Sequence, residues 1–197
     1  SNILSSMARH IFTRFFQIIL FYKNWPIKIL NHRLLTSKQI ILKLRNGLKF
    51  RIQSNSDDDG IVEELLTKEP YTPKGFDIKQ GDIVFDIGAQ KGVFTVYACS
   101  KGAKVYSYEP LPKNFYFLTE NVKLNQYKAA LSQLAVTDKS GEQDFFMSKG
   151  SGSHSLFFKT NNSIRVKTTT LDAEIKKHSL KVIDFLKLDC EGAEFSI

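Results

Sequence analysis

A doubly wound, Rossmann-like α/β sheet is the fold this sequence predicts, and three stretches predict it. Residues 84–94 (VFDIGAQKGVF) run from an apolar strand into a turn bracketed by Gly88 and Gly92, and residues 104–110 (KVYSYEP) form a short β-rich run ending in an acid. Residues 183–194 (IDFLKLDCEGAE) form a third apolar run closed by acids. Strands separated by helix-length segments are the pattern of parallel βαβ units, whose ligands bind at the carboxyl ends of the strands.

The chain begins differently. Residues 1–55 hold ten Lys or Arg and no Asp or Glu, so this part carries +10, whereas the other 142 residues net −2 of the overall +8. Within it, residues 11–22 (IFTRFFQIILFY) set Ile11, Phe12, Phe15, Phe16, Ile18, Ile19 and Tyr22 on a broad helical face, opposite Thr13, Arg14 and Gln17. The run is too short and too interrupted to span a bilayer, and no small-residue cleavage pattern follows it. Packing on the domain's own core is the first reading of this helix; contact with a membrane surface or with nucleic acid stays open.

Residues 39–44 and 48–52 are strand-like and meet at Arg45-Asn46-Gly47, a hairpin signal. Asp57-Asp58-Asp59-Gly60 then opens an acidic helix; its acids lack the alternation and distal glutamate of a calcium loop, so capping is the better account. A linker at residues 71–75 and a turn at Gly81-Asp82 lead into the first sheet strand. The expected division is therefore 1–80, a basic helix, hairpin and acid-capped helix, and 81–197, the sheet domain.

In that domain Gly102 closes the glycine-loop helix as a C′ residue, Pro112 starts a helix running to Asn125 with Phe115, Leu118 and Val122 inward, and residues 130–136 form one strand. Beyond the turn at 138–141, short strands at 145–147, 156–158 and 164–168 surround the segment GSGSHSLF, an insertion whose tip could overhang the cleft. In the last run Phe185, Leu186 and Leu188 make a buried strand with Lys187 as the odd polar residue.

The chemistry is read from the turn. Asp-x-Gly-x-x-x-Gly is not the Gly-x-Gly-x-x-Gly of a dinucleotide cradle, because Gln90 stands where the middle glycine would be. Asp86 beside the turn would repel phosphates and attract the ammonium or sulfonium end of S-adenosylmethionine. Glu109, twenty-three residues further on, lies near the offset at which a βαβ unit sets a carboxylate on a cofactor ribose.

DIGAQKG, YEPLPKNFYFLTENVKLN, AVTDKSGE, TTLD and LKLDCEGAE, in that order between residues 82 and 194, resemble the FkbM-type S-adenosylmethionine-dependent methyltransferases, which methylate hydroxyls of sugars and polyketide-type products. The resemblance implies a class I methyltransferase sheet, with Asp86, Gly88, Ala89 and Gly92 along the methionine part of S-adenosylmethionine and Glu109, followed by Pro110, at the ribose. It also implies that Asp189 and Glu191 face the methyl group and the acceptor. As the base for the acceptor's proton the candidates are Asp189, which could instead ligate a divalent ion, and His154 of the insertion. No metal ligand is assigned. Glu194 is read as a first-turn acid of a following helix.

The expected partner is a hydroxylated small molecule or glycan, with peripheral membrane contact through the basic aromatic helix and nucleic acid set aside. RNA ribose methylation, suggested by the basic arm, and a non-catalytic assembly module are the alternatives. Two cysteines with no metal spacing, Cys99 as a core residue and Cys190 beside the acids, fit a cytoplasmic protein, which the basic aromatic helix would place at the inner face of the membrane. The first residue is Ser1 and the last Ile197, so the sheet is expected to be truncated at its carboxyl-terminal side, with part of the acceptor pocket missing.

Overall fold

A computed structural model describes residues 15–31, 39–54, 75–146 and 163–189, with the single positions 13, 58, 60 and 62. The chain forms two compact units, Ser1–Val62 and Glu63–Ile197.

In the first unit, residues 15–21 are helical, and α1 (Trp25–Asn31) follows after a two-residue turn. The strands β1 (Gln39–Lys43) and β2 (Lys49–Gln53) pair antiparallel in the register Ile41↔Arg51. Alternation sends Ile40, Leu42, Phe50 and Ile52 into the interior. Leu44 N–H donates to Leu48 O across a three-residue loop in which Gly47 takes φ +95°, the left-handed position such hairpins require. Tyr22, fully buried, bridges antiparallel to Leu44. Asn24 clamps the same edge, its amide donating to Ile41 O and its carbonyl oxygen accepting from Lys43 N–H, both at 2.8 Å. Of the three aspartates only Asp58 is described: it is buried and accepts from Gln53 N–H, which ties it to the end of β2.

The second unit is built on four parallel strands: β3 (Ile83–Ile87), β4 (Lys104–Tyr108), β5 (Ala130–Ser132) and, on the other side of β3, β9 (Phe185–Leu188). Their order is β5-β4-β3-β9, so the chain steps outward twice from β3 and then returns to its other flank. That reversal beside the first strand is the topological switch point of doubly wound folds, and its crevice lies between β3 and β9.

Helices cover both faces. Phe85, Ile87, Tyr108 and Val136 pack on one side, with Leu171 and Ile175 of α4 (Leu171–Lys177) against them. The α4 helix is capped by Thr170, whose hydroxyl accepts from Ala173 N–H. On the other face lie α2 (Val93–Ser100), buried on almost every residue, and α3 (Pro112–Leu124). Gly102 stands at φ +85° just past the end of α2, as expected, and Pro112 occupies the first turn of α3. The inward stripe of α3 is Phe117, Leu118, Asn121 and Val122, whereas Phe115, expected inside, is half-buried.

Two further expectations fail. Residues 130–136 are not one strand: after β5 the chain leaves the sheet, and β6 (Ala135–Val136) pairs parallel with β8 (Ser163–Thr169), which is antiparallel to β7 (Gly141–Phe146). The cause is burial, since Ala135 joins Leu111, Phe145 and Val166 in a small core of its own. In β9 the expected pattern is inverted: Lys187 is buried while Leu186 is 39% exposed. Residues 147–162 and 190–197 lie outside the described residues, and with them the expected strand at 156–158, the insertion tip with His154, and Cys190, Glu191 and Glu194.

Candidate active site

Register explains why Lys187 is inside. Asp86 of β3 stands opposite Ser107 of β4 on one flank and opposite Lys187 of β9 on the other, so the three form a polar row across the sheet beneath α2. Thr95 of α2 comes down onto the row. Its hydroxyl donates to Asp86 Oδ2 at 2.6 Å and lies 2.8 Å from Ser107 Oγ. Threonine has one hydroxyl proton; with that proton on the carboxylate, Ser107 donates to Thr95.

The Lys187 ammonium lies 3.0 Å from Asp86 Oδ1, an ion pair without hydrogen-bond alignment, and donates to Gly88 O at 2.8 Å. It also lies 3.6 Å from Asp189 Oδ2 and over the Phe94 ring at 6.0 Å. One cation therefore ties the end of β3, the glycine turn and the end of β9.

The turn itself is held by backbone. Gly88 and Ala89 N–H both donate to Tyr108 O at 3.0 Å, and Gly92 N–H returns to Ala89 O at 2.8 Å. Gly88, Gln90 and Gly92 have φ of +75°, +49° and +78°. At Gly92 a Cβ would meet Leu118 Cδ1 at 2.6 Å and its Cα at 3.1 Å, so glycine is demanded by space as well as by conformation. Gln90 adopts the left-handed conformation without being glycine, and its N–H donates to Glu109 Oε2 at 2.8 Å. Asn121, fully buried, donates to Lys91 O from α3.

Glu109 follows β4 directly and is 3% exposed. Its Oε1 accepts from Leu111 N–H at 2.9 Å. Burial pushes its carboxyl up to about 7, against the lowering pull of the Leu111 and Gln90 N–H groups, the Asn114 side chain and the Lys187 charge. A carboxylate offers about four acceptor positions, and these three donors leave one for a ligand hydroxyl.

Asp86, Gly88, Ala89, Gly92 and Glu109 thus come together at one end of the sheet, with half-buried Pro110 continuing the chain beyond Glu109. Asp189 joins them from β9, its side chain a third exposed and its N–H on Ile87 O. Asp86 itself is 0% exposed, and its carboxylate meets Thr95 and Lys187 of the polar row. Lys187, Thr95, Ser107 and Asn121 were missed by the sequence reading; a lysine inside an apolar strand at the switch point was the one signal present. Among the described residues no group of three His, Cys, Asp or Glu side chains is arranged to hold a metal. Burial, with the Asp86 charge, raises the Cys99 thiol to about 12, which makes it an inert core residue.

The chain has relatives. The chain is 30% identical over 102 residues to the 31-O-demethyl-FK506 methyltransferase FkbM of Streptomyces tacrolimicus, covering 51% of this chain and 39% of that protein. It is 26% identical over 150 residues to the hexuronic acid methyltransferase AglP of Haloferax volcanii, covering 75% of this chain and 58% of that one. The chain therefore spans less than two thirds of the length of either relative. Among solved structures, a SAM-dependent methyltransferase from Agrobacterium tumefaciens aligns at 16% identity and a TM-score of 0.37, over 51% of this chain and 34% of that one. The Methyltransferase FkbM domain model matches residues 86–197, which start at the buried aspartate of the polar row and take in Glu109 and Asp189. By that match, over more than half its length, the chain belongs to the FkbM methyltransferase family.

Proposed function

We propose that this protein is an S-adenosylmethionine-dependent O-methyltransferase acting on a hydroxyl of a sugar, glycan or related natural product. The observation that carries the reading is the coincidence of the FkbM domain match with a glycine turn and two strand-end carboxylates, Glu109 and Asp189, at the switch point. S-adenosylmethionine supplies an electrophilic methyl group on a sulfonium. Glu109 fits the ribose hydroxyls, since it keeps one acceptor position and is already fixed by the turn. Asp86 acts as a positioning residue: with Lys187 it holds Gly88 and the end of β9 in place from beneath.

Asp189, partly exposed beside the turn, is the described carboxylate suited to take the proton of the attacking hydroxyl. His154 and Glu191 remain candidates for the same task. The names of the two relatives, one a 31-O-demethyl-FK506 methyltransferase and the other a hexuronic acid methyltransferase, support a hydroxylated acceptor of small-molecule or saccharide type.

The test is calorimetric titration with S-adenosylmethionine, followed by transfer of labelled methyl groups to extracted glycans and to RNA. Binding that Glu109→Ala abolishes while Asp189→Asn preserves it, with label entering saccharide and not RNA, is expected. A folded protein with no affinity for the cofactor overturns the enzyme reading, and label in RNA overturns the acceptor.

A further inference from the structure

We propose that the first unit docks on an anionic phospholipid surface through the exposed apolar side chains of its helices. Phe16 and Leu20 are 59% and 70% exposed, and their spacing of four puts them on one helical stripe. Ile27 and Leu30 form a second exposed stripe on α1. Phe15 packs edge-on to both Phe16 and Trp25, with centroids 6.4 and 5.8 Å away, so the aromatic patch is stiffened across the turn between the helices.

The helices are fixed by groups other than these side chains. Arg45 donates through Nε to Ile19 O and through its backbone N–H to Phe21 O, closing the helical end at 15–21. Lys23 N–H donates to Lys43 O, Asn24 clamps β1, and Tyr22 is buried with the Lys28 ammonium 5.8 Å from its ring centroid. Phe16 and Leu20 are thus held in water on a braced helix.

Charge selects the occupant. Ten basic and no acidic residues over 1–55 give this part of the chain a charge that attracts anions and repels a second copy of the chain. Nucleic acid would satisfy the charge but offers nothing to Leu20, the most exposed of the apolar residues. Anionic lipid satisfies both, with apolar side chains in the acyl boundary and Lys or Arg at the headgroups. Among the described residues no helix is long and apolar enough to cross a membrane, so the contact lies in the interface plane.

The experiment is co-sedimentation of the whole chain with phosphatidylcholine vesicles, with and without phosphatidylglycerol, over a salt series. Partition onto the phosphatidylglycerol vesicles, weakening as salt rises, is expected. The double variant Phe16→Ser with Leu20→Ser should bind about tenfold less while its thermal midpoint is kept. The variant Lys23→Glu with Lys43→Glu should lose the preference for anionic vesicles. Equal binding to both vesicle types, binding unchanged in the apolar double variant, a dimer in solution that the same variant dissolves, or RNA binding in place of vesicle binding would each overturn the proposal. Methyl transfer is not measured, so the result is independent of the enzymatic reading.

Discussion

Asp86 and Glu109 are both carboxylates at the carboxyl edge of the same sheet, both buried, and they are solved differently. Asp86 ends β3 with a cation 3.0 Å away and a threonine hydroxyl at 2.6 Å. Glu109, just past β4, is held by the Gln90 and Leu111 N–H groups and the Asn114 side chain, with the Lys187 charge acting from further off, and burial raises its carboxyl to about 7. A buried acid with its own ammonium belongs to the frame, since its charge is balanced from inside. A buried acid held by neutral donors is poised near neutrality and keeps room for one more donor, which a bound hydroxyl can supply. Under the proposed function, the difference between the two ends assigns Asp86 to the scaffold of the site and Glu109 to its ligand-facing part.

The sharpest way to break that contrast is to remove the cation. Lys187→Met leaves Asp86 buried and unpaired, and the cost is expected to be about 3–5 kcal/mol in denaturant unfolding. Adding Asp86→Asn should recover most of it, because the stranded charge is then gone. Loss below about 1 kcal/mol in the single variant would mean that the row does not hold the sheet edge.

Glu109 gives the next effect, through pH. Its carboxyl titrates near 4.5 when unfolded and at about 7 when folded. Between these values the unfolded chain binds fewer protons than the folded one, so this group's contribution to stability falls as pH rises from about 4.5 to 7 and is level above that. The full drop is about 3 kcal/mol, and Glu109→Gln should remove it from the pH profile of unfolding. If the ribose hydroxyls donate to the ionised form, cofactor affinity should weaken by about tenfold for each pH unit below 7.

How far the sequence revealed these two ends follows from the range of the interactions. The strand, the glycine turn and the offset to Glu109 are local patterns within one βαβ unit, and each is where it was expected. The hairpin was legible from Asn46-Gly47 for the same reason. Lys187 was not, because FLKL read alone makes the leucines interior and the lysine an exception. Only its register opposite Asp86, a hundred residues away, turns the lysine inward and Leu186 out. Residues 130–136 look like one strand until β8, much later in the chain, draws Ala135 and Val136 to a different sheet. Thr95 and Ser107 carry no local sign of their task, being ordinary hydroxyl residues in a helix and a strand.

The smallest effects lie inside the polar row and test the direction of its protons. Thr95→Val removes a hydrogen bond to a charged group and should cost about 2 kcal/mol, whereas Ser107→Ala removes a bond between neutral hydroxyls and should cost about 1 kcal/mol. The order follows from the geometry: the 2.6 Å contact to Asp86 Oδ2 takes the threonine proton, and Ser107 at 2.8 Å then donates. With either variant Lys187 still neutralises Asp86, so neither loss should approach that of Lys187→Met. Ser107→Ala costing more than Thr95→Val in the same unfolding assay would reverse the donor assignment and move the frame's second anchor from α2 to β4.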